Sequence, residues 1–381
     1  MPWLNNRFGP RPFISGIEPL NRWLNGLRVP FLLQYRRYAL PFRAPVRTAH
    51  GVWTVREGVI LRLEDASGRV GWGESAPVPG FGTETADDAA GVLRGVGNRI
   101  EADAVDTVPL EWGCLRRALR MALSGLNAAG QSAPQDESAA FLPVAALLPA
   151  GRAGLALVPV QVEAGFRTFK WKVGVGDPAD ELVLLDDLCA LLPAGARLRL
   201  DANGAWDRRT AERWLERCAE RPVEFVEQPC FALRASQGGG RISKEDDLLL
   251  GLAGSFPTPL ALDESIAGDG DVERWVGAGW PGVFVVKPSL HGDLAGSLAQ
   301  LEKARAAVVF SSALETAVGM KSALRAAFAW REPGAAKPRA LGFGVAPLFA
   351  DGRFDGPVAA PFLYREDIER LNPEAVWNAL S

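Results

Sequence analysis

The sequence predicts an α/β protein in which a TIM-type barrel follows a small α+β domain. Between about residues 143 and 345, short apolar strands alternate regularly with helical stretches, as in a barrel of parallel strands. Before that region, strands are followed by helices, which is the pattern of an α+β domain. Polar residues follow the barrel strands directly, so we expect them to meet at one mouth of the barrel.

The composition narrows the classes of function. With 48% apolar and 23% charged residues, the chain is typical of a soluble globular protein. Its net charge of −3 gives no general reason to expect nucleic-acid or anionic-membrane binding. No uncharged apolar run approaches the ~20 residues that a membrane span needs. We therefore expect a partner that is a small molecule.

The few cysteines and histidines limit the kinds of catalytic chemistry that we expect. The four cysteines form no Cys-x-x-Cys pair, so we expect reduced thiols and a cytoplasmic location. The two histidines, His50 and His291, lie in no nucleophile motif. Acid–base chemistry is therefore expected from Lys, Asp and Glu.

The chain before the barrel begins with an extension. Residues 1–30 hold five prolines and lack the segments of a signal peptide, so we place them outside the main fold. From Tyr35 the pattern is β-like, and residues 59–63 and 70–74 flank a glycine-containing turn, which predicts a hairpin. Apolar residues then recur at helical spacing over 83–99 and 110–127, before a linker-like stretch at 130–143.

The barrel region is predicted to contain eight strands. They are expected at 143–148, 168–173, 197–200, 223–226, 260–262, 283–286, 307–310 and around 341–345, with helices such as 180–191, 208–219, 271–276 and 293–305 between them. Residues 238–244 interrupt one strand–helix unit and are expected to form an exposed loop.

Two lysines on the second of these strands face the same way. Side chains alternate along a strand, so Lys170 and Lys172 share one face while Trp171 points to the other. Two buried ammonium groups side by side are costly without negative partners. The sequence therefore predicts either carboxylates beside these lysines or an exposed edge strand.

Three carboxylates end the next three strands. Asp201, Glu227 and Asp263 each follow an apolar run directly. If they converge, a hard divalent cation relieves their repulsion, and an all-oxygen site favours Mg²⁺. The alternative for each carboxylate is that it caps the helix that follows.

A third lysine, Lys287, ends the strand after these carboxylates. Lys172 and Lys287 could therefore face a substrate from opposite sides. A nearby metal and Lys170 would favour a neutral Lys172 that can accept a proton. The alternative for Lys287 is an ordinary lysine at the barrel rim.

In this combination the chain resembles the enolase superfamily, in the muconate-lactonizing-enzyme-like subgroup. The resemblance rests on Lys170-Trp171-Lys172, Asp201-Ala202-Asn203, Glu227-Gln228-Pro229, Asp263-Glu264-Ser265 and Lys287-Pro288, together with Gly71-Trp72-Gly73-Glu74. It implies a (β/α)7β barrel covered by an α+β capping domain. The implied division is an extension at 1–30, a capping domain at 31–140 with the tail 350–381, and a catalytic barrel at 141–349.

Within that superfamily the chain resembles the o-succinylbenzoate synthases, above all those of cyanobacteria. The closer likeness lies in 41–43, 50–58 and 310–315 and at Gly342. It implies that Ser311, Ser312 and Gly342 line the succinyl end of the substrate and that Arg199 supports the site. His50 would lie over the ligand, although a histidine that stabilises the turn is an equal alternative.

The resemblance also implies a reaction. A carboxylate substrate, 2-succinyl-6-hydroxy-2,4-cyclohexadiene-1-carboxylate, would lose water to give 2-succinylbenzoate for menaquinone or phylloquinone synthesis. Mg²⁺, with Mn²⁺ as a possible substitute, would stabilise an enediolate. Lys172 would move the proton, Lys287 would stabilise the opposite face, and Lys170 would hold the substrate carboxylate or tune Lys172.

Three other functions and the oligomeric state stay open at this point. The same scaffold could house an N-acylamino-acid racemase or a dipeptide epimerase, but Gly342-Phe343-Gly344 stands where such epimerases typically carry Asp-x-Asp. Gly174-x-Gly176-x-x-Ala179 fits a dinucleotide fingerprint and hence an NAD-dependent dehydrogenase, at the cost of leaving Glu227, Asp263 and Lys287 without roles. A barrel that only binds a ligand is the third function. Either a monomer or a homo-oligomer fits the sequence.

Overall fold

The computed structural model describes residues 30–48, 51–128, 140–230, 243–335 and 337–380. The extension at 1–29, His50, most of the linker at 130–143 and most of the 238–244 loop lie outside these ranges. None of the helices in the described ranges is both long and apolar enough to cross a membrane.

An antiparallel sheet forms the core of the N-terminal part. Its strands are β1 (Phe31–Thr48), β2 (Gly51–Glu64), β3 (Val70–Ser75) and β4 (Arg99–Ile100), in the spatial order β3-β2-β1-β4. The predicted hairpin is confirmed, because β2 pairs with β3 from Val59 opposite Ser75 to Glu64 opposite Val70. At its turn, the Asp65 carboxylate accepts hydrogen bonds from the backbone N–H groups of Ser67 and Arg69.

Three helices cover one face of this sheet: α1 (Ala86–Val96), α2 (Ala104–Thr107) and α3 (Gly113–Ala128). The apolar stripe of α3 packs on β2 and β3 and buries Leu115, Ala118 and Ala122. The two elements approach closely because β3 carries Gly71 and Gly73. A Cβ atom at either glycine would lie 1.9 Å from a backbone oxygen of α3, so a larger residue would separate them.

Seven parallel strands form a curled sheet in sequential order from β12 to β6. After β5 (Phe141–Pro143), they are β6 (Ala146–Leu148), β7 (Thr168–Lys172), β8 (Arg197–Asp201), β9 (Val223–Glu227), β10 (Leu260–Leu262), β11 (Val283–Val286) and β12 (Ala307–Phe310). The predicted strand at 143–148 is therefore divided, and only its second part belongs to the barrel.

The segment around Leu341 closes the barrel with isolated bridges instead of the full strand predicted at 341–345. Leu341 bridges to Val144 and Gly342 bridges to Ser311, both in parallel sense. Glycine weakens a strand because it has no side chain to pack, and Gly342 and Gly344 both lie in this short segment. The barrel is thus closed, and the (β/α)7β class is confirmed.

Seven helices surround the strands and bury their outward side chains. They are α4 (Arg152–Glu163), α5 (Pro178–Leu191), α6 (Arg208–Cys218), α7 (Lys244–Ser255), α8 (Asp269–Gly277), α9 (Leu294–Lys303) and α10 (Ala317–Ala329). Trp171 of β7, for example, is fully buried and lies 6.5 Å from Trp214 of α6 between ring centroids. The alternation predicted for β7 therefore turns Lys170 and Lys172 to the barrel interior.

The C-terminal tail contacts both parts of the molecule. It consists of β13 (Phe362–Tyr364), α11 (Arg365–Arg370) and α12 (Pro373–Ala379). Strand β13 pairs with β5, while Trp377 of α12 packs on Trp72 of β3 with ring centroids 5.5 Å apart. The domain boundaries given above stay a prediction.

Candidate active site at the mouth of the barrel

A cavity of about 460 Å³ lies between the C-terminal ends of the barrel strands and the N-terminal sheet. The N-terminal part lines it with apolar groups, among them Val52, Trp53, Val78 and Phe81. The barrel supplies charged and polar groups. Seven charged residues at the strand ends form what we call the mouth cluster: Lys170, Lys172, Asp201, Glu227, Asp263, Glu264 and Lys287. All but Glu227, which is buried beside Lys170, line the cavity.

Lys170 lies between two carboxylates. Its Nζ atom is 2.9 Å from Asp201 Oδ2 and 2.6 Å from Glu227 Oε1. Burial disfavours the charge, but the two carboxylates outweigh burial and raise the pKa of Lys170 above its usual value. Lys170 is therefore a fixed cation, and the sequence-based expectation of negative partners beside it agrees with this geometry.

Lys172 lies one step nearer the barrel mouth and lines the cavity. Burial and the Lys170 cation lower the pKa of Lys172, against the attraction of Asp201 and Glu264. The pKa values of the two lysines of one strand are thus shifted in opposite directions, because Lys170 contacts the carboxylates and Lys172 faces the cavity.

Lys287 enters the cavity from the other side. Its ammonium group is ion-paired with Asp263 and lies 4.7 Å from the centre of the Phe81 ring. Burial, together with Lys170, lowers the pKa of Lys287 to about 7, although Glu227, Asp201 and Glu315 favour its charge. Its protonation therefore depends on the carboxylates around it.

The mouth cluster holds more carboxylates than the sequence analysis assigned to it. Glu264 is half-buried beside Asp201 and Glu227 and accepts a hydrogen bond from Asn203 Nδ2 over 3.1 Å. Burial, followed by the charges of Asp201 and Glu227, raises the pKa of Glu264 to about 8. Its Oε2 atom and the Oδ1 atom of neighbouring Asn203 are buried without a hydrogen-bond partner. The sequence shows Glu264 within the Asp263-Glu264-Ser265 motif. A single sequence does not tell which of two adjacent acidic residues faces the cavity.

The donor set fits a hard divalent cation. Within the described ranges, no group of three or more His, Cys, Asp or Glu side chains could hold a metal ion as it stands. Lys170 is ion-paired with Asp201 and Glu227, and Lys287 is ion-paired with Asp263. The unpartnered oxygens of Glu264 and Asn203 nevertheless leave acceptors without donors, which a cation that prefers oxygen ligands would satisfy.

Ser311, Ser312 and Gly342 form one wall of the cavity. The Ser311 hydroxyl donates to the Gly342 carbonyl over 3.2 Å, and the Ser312 hydroxyl donates to Glu315 Oε2 over 3.2 Å. A Cβ atom at Gly342 would lie 2.6 Å from Ser311 Oγ, so glycine is required for this close approach.

Arg199 does not belong to the residues that line the cavity. Its guanidinium pairs with Glu224 over 2.7 Å and donates to the Ala340 carbonyl over 2.8 Å. Arg199 therefore supports the residue that precedes the barrel-closing segment around Leu341. We call its surroundings the arginine network: Arg197, Arg199, Glu224, Glu332 and Arg339. His50 lies outside the described residues.

The glycine-containing loop after β7 is not free to bind a phosphate. The Glu181 carboxylate accepts hydrogen bonds from the N–H groups of Gly174, Val175 and Gly176, over 2.8 to 3.2 Å. Asp177 caps α5, where Pro178 takes the first helical position. A dinucleotide pyrophosphate would need these same N–H groups, so the geometry argues against an NAD-dependent dehydrogenase.

Family models match both parts of the chain. Residues 33–110 match the model described as MenC, N-terminal domain, and residues 156–341 match the enolase C-terminal domain-like model. The first match covers most of the antiparallel sheet with α1 and α2, and the second covers the barrel from within α4 to Leu341.

Similar proteins point to one family. An o-succinylbenzoate synthase of Thermosynechococcus vestitus is 40% identical over 321 residues, which cover 82% of this chain and 92% of that protein. The same enzyme from Yersinia pseudotuberculosis is 28% identical over 78% of this chain and 86% of its own.

The solved structures that resemble this chain include an enzyme of the same name as these relatives. The crystal structure of o-succinylbenzoate synthase from Thermosynechococcus elongatus, complexed with Mg in the active site, gives a TM-score of 0.73 at 34% identity, over 91% of this chain and 99% of that one. The L-Ala-D/L-Glu epimerase of Bacillus subtilis gives a TM-score of 0.72 at 21% identity, over 89% and 96%, which shows the shared fold alone. This chain belongs to the o-succinylbenzoate synthase family of the enolase superfamily.

Proposed function

We propose that this chain is an Mg²⁺-dependent hydro-lyase that converts 2-succinyl-6-hydroxy-2,4-cyclohexadiene-1-carboxylate to 2-succinylbenzoate, a step toward menaquinone or phylloquinone. The observation that carries the proposal is a pair of lysines, Lys172 and Lys287, on strands at opposite sides of a buried carboxylate group in one cavity. Membership of the o-succinylbenzoate synthase family supports the same reaction.

Asp201, Glu227 and Asp263 are the proposed metal ligands. The proton to be removed is next to a carboxylate and is weakly acidic, so the enediolate that forms needs strong charge stabilisation. Mg²⁺, when bound, supplies this stabilisation as a Lewis acid. Lys170 restrains Asp201 and Glu227 through its two ion pairs and so presents their oxygens in fixed positions.

Lys172 is the proposed base. Its amine lines the cavity on the strand before the carboxylates, where it would take the α-proton and return it to the departing hydroxyl on the same face. Lys287 approaches from β11 on the other side, where its ammonium form would stabilise the enediolate. Loss of hydroxide as water makes the ring aromatic, which adds driving force.

The rest of the substrate is proposed to lie along the wall formed by Ser311, Ser312 and Gly342. Among the described residues that line the cavity, Ser311 and Ser312 carry the hydroxyl groups. To donate to a second carboxylate, each would turn its proton away from its present acceptor, Gly342 O or Glu315 Oε2. The apolar groups of the N-terminal part, such as Trp53 and Phe81, would cover the ring and exclude water.

We also propose that the enzyme acts in the cytoplasm. All four cysteines are free in the structure, which suits a reducing compartment. A racemase or epimerase would use the same two lysines. A dipeptide epimerase is not favoured, because Gly342 and Gly344 offer no side chain to hold a dipeptide's amino group.

The test is an ultraviolet assay that follows 2-succinylbenzoate formation from the cyclohexadiene substrate. We expect turnover with added Mg²⁺, loss of turnover with EDTA, and recovery when excess Mg²⁺ or Mn²⁺ is restored. Racemisation of N-succinylamino acids, measured in parallel by polarimetry, serves as the comparison. Absence of dehydration by folded, Mg²⁺-supplied protein would refute the proposal.

A further inference from the structure

A latch of buried polar residues joins the N-terminal sheet to the cavity wall, and its members lie outside the mouth cluster. Its two main residues are Arg56 of β2 and Glu74 of β3, which are 1% and 0% exposed. Both reach across the domain boundary to a short barrel segment between β12 and α10. That segment contains Ser311, Ser312 and Leu314, which line the cavity.

Arg56 binds backbone carbonyls from both sides of the boundary. On the barrel side its Nε atom donates to Leu314 O over 2.9 Å and an Nη atom donates to Ala313 O over 3.2 Å. On its own side it donates to carbonyls of Glu57, Ala76 and Pro77 over 2.7 to 2.9 Å. Every donor of a planar guanidinium is thereby used to hold two chain segments together.

Glu74 caps a barrel helix from the other domain. Its Oε1 atom accepts from Thr316 N over 2.9 Å, and its Oε2 atom accepts from Thr316 Oγ1 and Gly319 N over 2.6 and 2.7 Å. Tyr38 of β1 donates to Oε1 over 2.6 Å and fixes the carboxylate. An anion at the N-terminus of a 13-residue helix is favourable, so Glu74 anchors the start of α10.

The segment held in this way is strained. Leu314 has a φ of +61°, a conformation that a residue other than glycine keeps only when its surroundings impose it. The Ser312 hydroxyl accepts from Leu314 N over 2.9 Å, so the direction of this hydroxyl depends on the Leu314 backbone. Release of Leu314 would therefore reorient Ser312 in the cavity.

We infer that Arg56 and Glu74 are positioning residues that set the cavity wall at Ser311 and Ser312 and thereby the affinity for the second carboxylate of the substrate. The inference rests on the proposed function. It differs from that function in assigning a specificity role to the N-terminal sheet through residues that touch neither the substrate nor the mouth cluster.

The test compares Arg56→Lys and Glu74→Gln with Arg62→Lys and Glu64→Gln. Both control residues, Arg62 and Glu64, lie on β2, the strand that also carries Arg56. Arg62 donates to Glu64 and to Gln34, away from the barrel. For the latch variants we expect KM to rise about tenfold while kcat changes by less than about threefold, because the lysines and carboxylates are untouched. Inhibition by 2-succinylbenzoate should weaken by the same factor, whereas inhibition by benzoate, which lacks the succinyl end, should not change.

A second readout is independent of turnover. Hydrogen–deuterium exchange of the peptide covering 311–319 should become faster in both latch variants and stay at the wild-type rate in both controls. Tyr38→Phe, which keeps the bonds from Glu74 to α10, should give a smaller effect of the same kind. Unchanged exchange and unchanged KM would overturn the latch, as would equal weakening of benzoate and 2-succinylbenzoate. If the wild-type protein binds no 2-succinylbenzoate, the proposed function fails, while exchange still decides whether the latch exists.

Discussion

Two networks of buried charge lie in the same barrel and differ in how well their charges are compensated. The arginine network lies near the N-terminal ends of β8 and β9, and the mouth cluster lies at the C-terminal ends of the strands. In the arginine network, Glu224 meets the guanidinium groups of Arg197, Arg199 and Arg339 within 3.2 Å. In the mouth cluster, Glu264 lies beside two other carboxylates.

The pKa values separate the two networks. Burial alone would raise the pKa of Glu224, but Arg199 and its neighbours outweigh burial and lower it. Burial and like charges instead raise the pKa of Glu264 to about 8, and burial lowers the pKa of Lys287 to about 7. The arginine network therefore stabilises the fold, whereas the mouth cluster holds Glu264 beside like charges, which a bound cation would compensate.

The largest effect is expected on turnover, from the mouth cluster. Lys172→Ala and Lys287→Ala should each lower kcat by about 10³-fold or more, because each removes a group that acts on the reacting atoms. Circular dichroism should show that both variants stay folded. Lys303→Ala, an exposed lysine of α9, is the matched control. Wild-type turnover in either variant would remove the role assigned to that lysine.

The next effect is expected on stability, from the arginine network. Glu224→Gln should lower the free energy of unfolding by about 3–5 kcal/mol, because it leaves the buried Arg199 cation without its carboxylate. Since the folded-state pKa of Glu224 is lowered, this stabilisation is present above its usual pKa of 4.5 and is lost as pH falls through the folded value. Chemical unfolding at pH 7 measures the difference.

Its control is Glu212→Gln, which removes an exposed pair with Arg208 and should cost less than about 1 kcal/mol. The specific activity of the remaining folded Glu224→Gln protein should stay close to that of the wild type. A large loss of turnover with unchanged stability would contradict the division between the two networks.

The smallest effect concerns a carboxylate beside the latch. Burial, and after it the charge of Glu74, raises the pKa of Glu315 to about 7 from a usual 4.5, which corresponds to at most about 3 kcal/mol. The folded state then binds more protons than the unfolded state between these values, so stability falls as pH rises from 4.5 to 7. Glu315→Gln should remove this dependence.

Chemical unfolding from pH 5 to pH 8 tests this expectation. Glu315→Gln keeps an oxygen that can accept from Ala313 N, so the variant should match the wild type near pH 5 and exceed its stability at pH 8. A constant difference between the two proteins over this range would show that Glu315 is not the titrating group.

Much of the barrel could be predicted from the sequence because its signals are local. The strands at 260–262, 283–286 and 307–310 have the predicted bounds, since each is an apolar run that ends at a polar residue. The segment at 341–345 was less predictable. Its two bridges depend on Val144 and Ser311, which a sequence pattern does not bring together.

The sequence by itself determined which side chains face the barrel interior, because the alternation of β7 is a property of the extended backbone. It also identified the lysines and carboxylates at the strand ends. Only the tertiary structure decided that Lys170 pairs with Asp201 and Glu227, that Lys287 pairs with Asp263, and that Arg56 and Glu74 reach the cavity wall. These contacts join residues from different strands or domains, and their distances and desolvation are set by packing, which no local pattern encodes.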